Sequence, residues 1–113
     1  MKIEHYSFGK ITINGKTYTS DVIIYPEKVD SSWWRKEGHR LDIEDLKGIL
    51  ESKPEVLVVG TGAYGAMVVP GETEEFLRKK GIKLIADNTK SACDTFSKLS
   101  GSAKVIAALH LTC

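Results

Sequence analysis

Four consecutive apolar residues, Val56-Leu57-Val58-Val59, stand between Pro54 and the glycine-rich Gly60-Thr61-Gly62. A run this short and this uniformly apolar suits a strand covered on both faces, because a strand with one wet face alternates apolar and polar residues. Covering both faces takes helices, or a second sheet, on each side, which points to an α/β layout. The glycines that follow add a second constraint. Gly60, Gly62 and Gly65 spell the G-x-G-x-x-G of a dinucleotide-binding turn. In that fold the loop leads directly into a helix whose N-terminus holds the pyrophosphate. Here it runs into Ala66-Met67-Val68-Val69-Pro70-Gly71, and a helix begun at Gly62 could not carry Pro70 in its interior. The next helical pattern starts near Glu72, and Glu72, Glu74 and Glu75 in its first turn would repel phosphate. Asp87, about 22 residues after Gly65, stands where a ribose-binding acid would lie, but one acid does not replace the helix. The glycines read as a backbone turn, and no NAD or other cofactor is expected.

The remaining chain divides by character. Residues 1–35 are β-rich. Ile11-Thr12-Ile13-Asn14-Gly15-Lys16-Thr17-Tyr18 alternates around Asn-Gly, the pair that suits a two-residue type I′ hairpin turn. Val22–Tyr25 is β-branched and aromatic, and Val29–Arg35 reads as a further extended piece. Residues 42–111 alternate helix and strand. Asp42 caps a helix through Glu51, with Ile43, Leu46, Ile49 and Leu50 on one face. Glu72–Lys80 carries acids first and bases last, with Gly81 at its end, the order a helix dipole favours. Ile82–Ala86 and Val105–Leu111 read as strands. Asn88 or Thr89 caps a helix to about Leu99. The expected architecture is a single α/β domain, 1–113, with a mixed sheet.

A length of 113 residues and a net charge of +1 give no bulk electrostatic pull toward nucleic acid or anionic lipid. No apolar run reaches the ~18 residues of a membrane helix. Met1-Lys2-Ile3-Glu4-His5-Tyr6 lacks the apolar core of a signal peptide, so the expected location is cytoplasmic. Cys93 and Cys113 form no C-x-x-C pair and read as two free thiols. His5, His39 and His110 share no metal-ligand spacing, and His110 reads as a hydrogen-bonded residue of the last strand. No G-x-S-x-G occurs, and no Ser-His-Asp set can be assembled. The sequence reveals no reaction.

Two places hold candidate function. Gly60, Thr61 and Gly62 end a strand, where open α/β sheets place ligands. Asn88 and Thr89 would lie beside them, and bare backbone N–H groups there could hold a small anion. The second place is Trp33-Trp34-Arg35-Lys36-Glu37-Gly38-His39-Arg40, which contains both tryptophans of the chain. Arg35 offers a planar fork for a carboxylate or phosphate, and His39 adds an imidazole four residues on. One tryptophan would plug the core; the other would face solvent or a partner.

Several segments in order carry a resemblance: the Ile11-Thr12-Ile13-Asn14-Gly15 hairpin, Trp33-Trp34-Arg35 with His39, Val59-Gly60-Thr61-Gly62, Gly81-Ile82 leading to Asn88-Thr89, Ala92 with Phe96, and Val105-Ile106-Ala107-Ala108-Leu109-His110. In these the chain resembles a small uncharacterised family of archaeal and bacterial proteins, related to the mitochondrial complex I assembly factor three and to an adipogenesis-associated protein of animals. The resemblance implies a three-layer α/β fold, with a central mixed sheet flanked by helices and an extra N-terminal β-hairpin layer. It implies no known enzymatic activity and a role through protein contacts. Two functions follow as expectations. The first is a non-enzymatic domain that binds a protein partner or a second copy of itself through Trp33, Trp34 and Arg35. The second is a small-anion site lined by Arg35, His39, Gly60, Thr61, Gly62, Asn88 and Thr89.

Overall fold

Asn14 and Gly15 turn the chain with φ of 50° and 80°, the positive values a type I′ turn requires. The computed structural model describes residues 1–113. The expected hairpin joins β2 (Lys10–Ile13) to β3 (Lys16–Tyr18), and β1 (Ile3–Ser7) adds a third antiparallel strand in the order β1-β2-β3. β4 (Val22–Ile24) follows, then β5. β5 covers only Val29–Asp30, shorter than the extended piece expected to Arg35. The Asp30 carboxylate accepts the N–H and the hydroxyl of Ser32 at 2.9 and 2.8 Å, a local turn that ends the strand.

The helix expected from Asp42 to Glu51 begins as a 3₁₀ turn, Ile43–Leu46, and only then becomes α1 (Lys47–Glu51). Asp45 N–H donates to the Asp42 carbonyl at 3.0 Å, the tighter i to i+3 pattern. The Asp45 carboxylate in turn accepts the Asp42 N–H at 2.8 Å. Beyond it come β6 (Val56–Thr61), α2 (Gly71–Lys79), β7 (Lys83–Asp87), α3 (Thr89–Leu99) and β8 (Val105–His110). Pro70 is the N-cap of α2, so no helix lies between β6 and Pro70, and Gly81 closes α2 at a φ of 76°.

The central sheet runs β5-β4-β8-β6-β7. β6 is parallel to both neighbours, whereas β4 is antiparallel to β8 and β5. Alternation along the strands divides the core in two. Leu57, Val59, Ile106 and Ala108 pack with Leu46, Ile49 and Leu77 from the helices on one face. Val58, Ala107 and Leu109 pack with Ala92, Cys93 and Phe96 of α3 and with Ile11 and Ile13 of the small sheet on the other. The three layers are thus helices, sheet, and α3 beside the small β-sheet, as the resemblance implied. Each fully buried Leu, Ile or Phe here contributes roughly 1.5–3 kcal/mol. No helix is long and apolar enough to cross a membrane. Both cysteines are free thiols; burial, with the Asp94 charge adding, pushes the Cys93 thiol up to about 12.

Candidate functional site

Parallel pairing brings the C-terminal ends of β6, β7 and β8 to one end of the sheet, with Gly60 opposite Asp87 and Thr61 opposite His110. The segment after β6 folds back over this end. Ala63 N–H donates to the Thr112 carbonyl at 2.6 Å and Ala66 N–H to that of Cys113 at 2.9 Å. Val68 N–H donates to the His39 carbonyl at 2.8 Å, and Leu41 N–H to that of Val68 at 2.9 Å. Residues 38–41, 61–68 and 110–113 are thereby laced together.

The residues expected to hold an anion meet here, but their donors bond one another. Gly62 N–H donates to the Thr89 hydroxyl at 2.9 Å, which donates to the His110 carbonyl at 2.5 Å. Thr89 N–H donates to the Gly62 carbonyl at 3.0 Å, and Asn88 caps α3 by accepting the Ser91 N–H at 3.0 Å. Among the N–H groups from Gly62 to Val68, only that of Tyr64 lacks an acceptor within the protein. The strand end is a closed turn rather than a cradle of free N–H groups. Thr89 is fully buried and joins three segments through one oxygen. Thr89→Val is expected to lower stability by about 1–3 kcal/mol, because it strands a buried N–H and a buried carbonyl; denaturant unfolding with an unchanged m-value checks this.

Arg35 reaches the same end, where Asp21 meets it. Its Nη1 lies 2.9 Å from Asp21 Oδ2, with the Arg35 side chain 5% exposed and that of Asp21 19%. Its Nη2 donates to the Gly38 carbonyl at 2.8 Å, and Nε alone lacks a partner. Its guanidinium carbon sits 4.6 Å from the centroid of the Trp33 ring, a cation–π stack. Asp21 Oδ1 accepts the Leu111 N–H at 2.8 Å, and Oδ2 meets His110 Nδ1 at 2.8 Å. Arg35 Nη2 also lies 3.1 Å from His110 Nδ1, so this ring nitrogen stands between the carboxylate and the guanidinium. Burial pushes the Asp21 carboxyl up, but the hydrogen bonds from His110 and Leu111, the His110 charge and Arg35 outweigh it and bring it down to about 2. The guanidinium charge is therefore matched inside the protein. His39 completes the group: its ring centroid is 5.7 Å from that of His110, and its Nε2 is 3.7 Å from Cys113 Sγ. No three His, Cys, Asp or Glu side chains are placed to hold a metal ion.

The two tryptophans separate. Trp33 is half-buried and donates through Nε1 to the Asp45 carbonyl at 3.3 Å. Trp34 is 76% exposed. Of the partner surface expected from Trp33, Trp34 and Arg35, only Trp34 is presented to solvent. The other exposed large apolar side chains are Tyr64 (80%), Val68 (59%) and Phe8 (56%). Phe8 and Tyr64 approach with ring centroids 6.0 Å apart. Tyr64 and Val68 belong to the folded-back segment; Phe8 precedes Gly9, whose N–H donates to the Leu111 carbonyl at 2.8 Å. Trp34 adjoins Arg35, which is anchored at the end of β8. All four therefore come from segments gathered at this end of the sheet. Asp21, Phe8 and Tyr64 carried no mark in the sequence, because none belongs to a recognisable motif, and Val68 stood within the apolar run Met67-Val68-Val69, which reads as buried. The three concavities of the molecule lie elsewhere; the largest, of about 470 Å³, is lined by Leu50, Lys53, Pro54, Phe76, Lys80 and Ile82.

A family model described as a protein of unknown function (DUF498/DUF598) matches residues 3–110. The chain belongs to this family. A Danio rerio protein named NADH dehydrogenase (ubiquinone) 1 alpha subcomplex assembly factor 3 is 34% identical over 109 residues, with 94% of this chain and 61% of that protein covered. The Xenopus tropicalis protein of the same name is 30% identical over 111 residues, with 96% and 59% covered. The chain thus spans 59–61% of the length of these two relatives. A conserved hypothetical protein from Pyrococcus horikoshii OT3, solved by crystallography, is 31% identical with both chains fully covered and a TM-score of 0.86. The kinship with complex I assembly factor three expected from the sequence is borne out, and so is the α/β fold.

Proposed function

We propose that the chain is an assembly-type domain that binds a partner protein through the end of the sheet carrying Trp34, Tyr64, Phe8 and Val68. The observation that carries this reading is that every exposed large apolar side chain belongs to a segment tied to this end of the sheet, with Phe8 and Tyr64 in contact. Scattered exposed hydrophobics need no explanation, but a cluster on otherwise polar surface is the mark of a docking face. Tryptophan and tyrosine are also the residues that most often dominate binding energy. The face sits on segments cross-bonded to one another, so it is pre-organised and loses little conformational entropy on docking. Relatives that bear the name of an assembly factor support a role through protein contacts. The buried Asp21–Arg35–His110 group then serves as the clasp beneath the face.

The test pairs the two tryptophans. Trp34→Ala should leave thermal stability unchanged and weaken partner capture from host extract at least about tenfold, or ~1.4 kcal/mol. Trp33→Ala should lower stability by roughly 2–4 kcal/mol through the cavity it leaves. Capture that persists undiminished with Trp34→Ala and with Tyr64→Ala would remove this face as the docking surface.

A further inference from the structure

β7 is a free edge of the central sheet. It is parallel to β6 with Lys83 opposite Val56, and Lys83 N–H donates to the Glu55 carbonyl at 3.0 Å. Along a strand in a parallel ladder, the N–H and C=O groups of successive residues turn to alternate sides. The backbones of Lys83, Ile85 and Asp87 therefore face β6, and those of Leu84 and Ala86 face outward. No turn, loop or side chain supplies partners to these outward groups. Ala86 is exposed, which leaves the edge open.

We infer that β7 pairs antiparallel with β7 of a second copy of this chain, about a two-fold axis at Ile85. This register places Leu84 of each copy opposite Ala86 of the other, and each of these pairs exchanges both of its hydrogen bonds. Ile85 faces Ile85, and Lys83 faces Asp87 twice. These are the positions without backbone bonds, where opposed side chains come closest. Lysine on an edge strand ordinarily blocks pairing. Here the lysine and the aspartate lie on one face of the strand, equidistant from its centre, so the pattern is complementary to itself under a two-fold rotation. Ile85 is half-buried and belongs to neither core cluster; the axis gives it an apolar neighbour. An edge of five residues makes a small interface, of the weak and transient class.

Sedimentation velocity to protein concentrations of about 1 mM, equivalent to ~4 kcal/mol of association, should show a shift from monomer to dimer. Ala86→Pro removes an N–H that the monomer does not use, and should weaken the dimer at least about tenfold while the monomer stays folded. Lys83→Asp opposes like charges at both positions and should weaken it similarly; adding Asp87→Lys should restore it. The Leu84 and Ala86 amides should exchange more slowly as concentration rises. A protein that stays monomeric throughout overturns the inference. So does a dimer indifferent to Ala86→Pro and Lys83→Asp, whose Leu84 and Ala86 amides stay unprotected. None of these substitutions touches Trp34 or Tyr64, so loss of the dimer and loss of the docking face are separate results.

Discussion

Asp21→Ala is expected to destabilise the protein by about 3–5 kcal/mol, because it leaves the Arg35 charge buried and unmatched. The Arg35 side chain is 5% exposed and cannot turn to water without dismantling its stack on Trp33. The Leu111 N–H loses its acceptor and His110 Nδ1 a partner in the same stroke. Asp21→Asn tests the charge alone, since it keeps the shape. Its effect follows from proton linkage: the folded carboxyl lies at about 2 against the usual 3.8. A group whose folded value is depressed contributes stability above its unfolded value and loses it as pH falls through the folded one. The Asp21 contribution, about 2 kcal/mol, is therefore intact at neutral pH and disappears between about pH 4 and pH 2. Denaturant unfolding across that window should show a steep loss in the wild type and a slope shallower by roughly one proton in Asp21→Asn. Equal slopes in the two proteins would mean that the carboxylate is not held as the geometry describes.

What the sequence shows of this fold is local. The apolar run at Val56–Val59, the Asn14-Gly15 turn and the acid-to-base order of α2 each arise from neighbours within a few residues, and each element formed where expected. β1 was not legible, because its register is broken between Ile3 and His5 and the alternation of a strand is lost. The clasp was half legible. Arg35 and His39 stand in an unusual stretch, and His110 was expected to be hydrogen-bonded. Their partner Asp21 is 89 positions from His110, and no spacing rule reaches that far. The same distance explains the strand end: Gly62, Asn88 and Thr89 were correctly placed as neighbours, but neighbourhood does not reveal that Thr89 occupies the donor an anion would need. Of the two tryptophans, only three-dimensional packing separates the anchored Trp33 from the exposed Trp34.

Gly62 shows which kind of constraint selected the glycines. It holds a φ of 108°, where L side chains are strained, and a Cβ built on it would lie 2.5 Å from the Cys113 carbonyl carbon and oxygen. Those are backbone atoms, already tied by the Ala66 N–H, so no flexible side chain can swing aside. Gly62→Ala should therefore cost about 3 kcal/mol or more, the strain of an unfavourable φ added to overpacking. Gly60→Ala should also destabilise: its Cβ would meet the Thr89 hydroxyl at 2.8 Å and Leu109 Cδ2 at 2.9 Å. Gly65 offers the contrast within the same motif. Its nearest neighbour would be Thr61 Oγ1 at 3.6 Å, so only its φ of 69° opposes a side chain, and Gly65→Asn should cost little because asparagine tolerates the left-handed region. A dinucleotide loop would order these effects through ligand binding. Here the ordering should appear in thermal unfolding of the bare protein, with Gly62→Ala also loosening residues 110–113 to amide exchange. Unfolding midpoints that hardly move for Gly62→Ala would mean that the end of the chain does not pack over β6, and the clasp and the docking face would lose their common support.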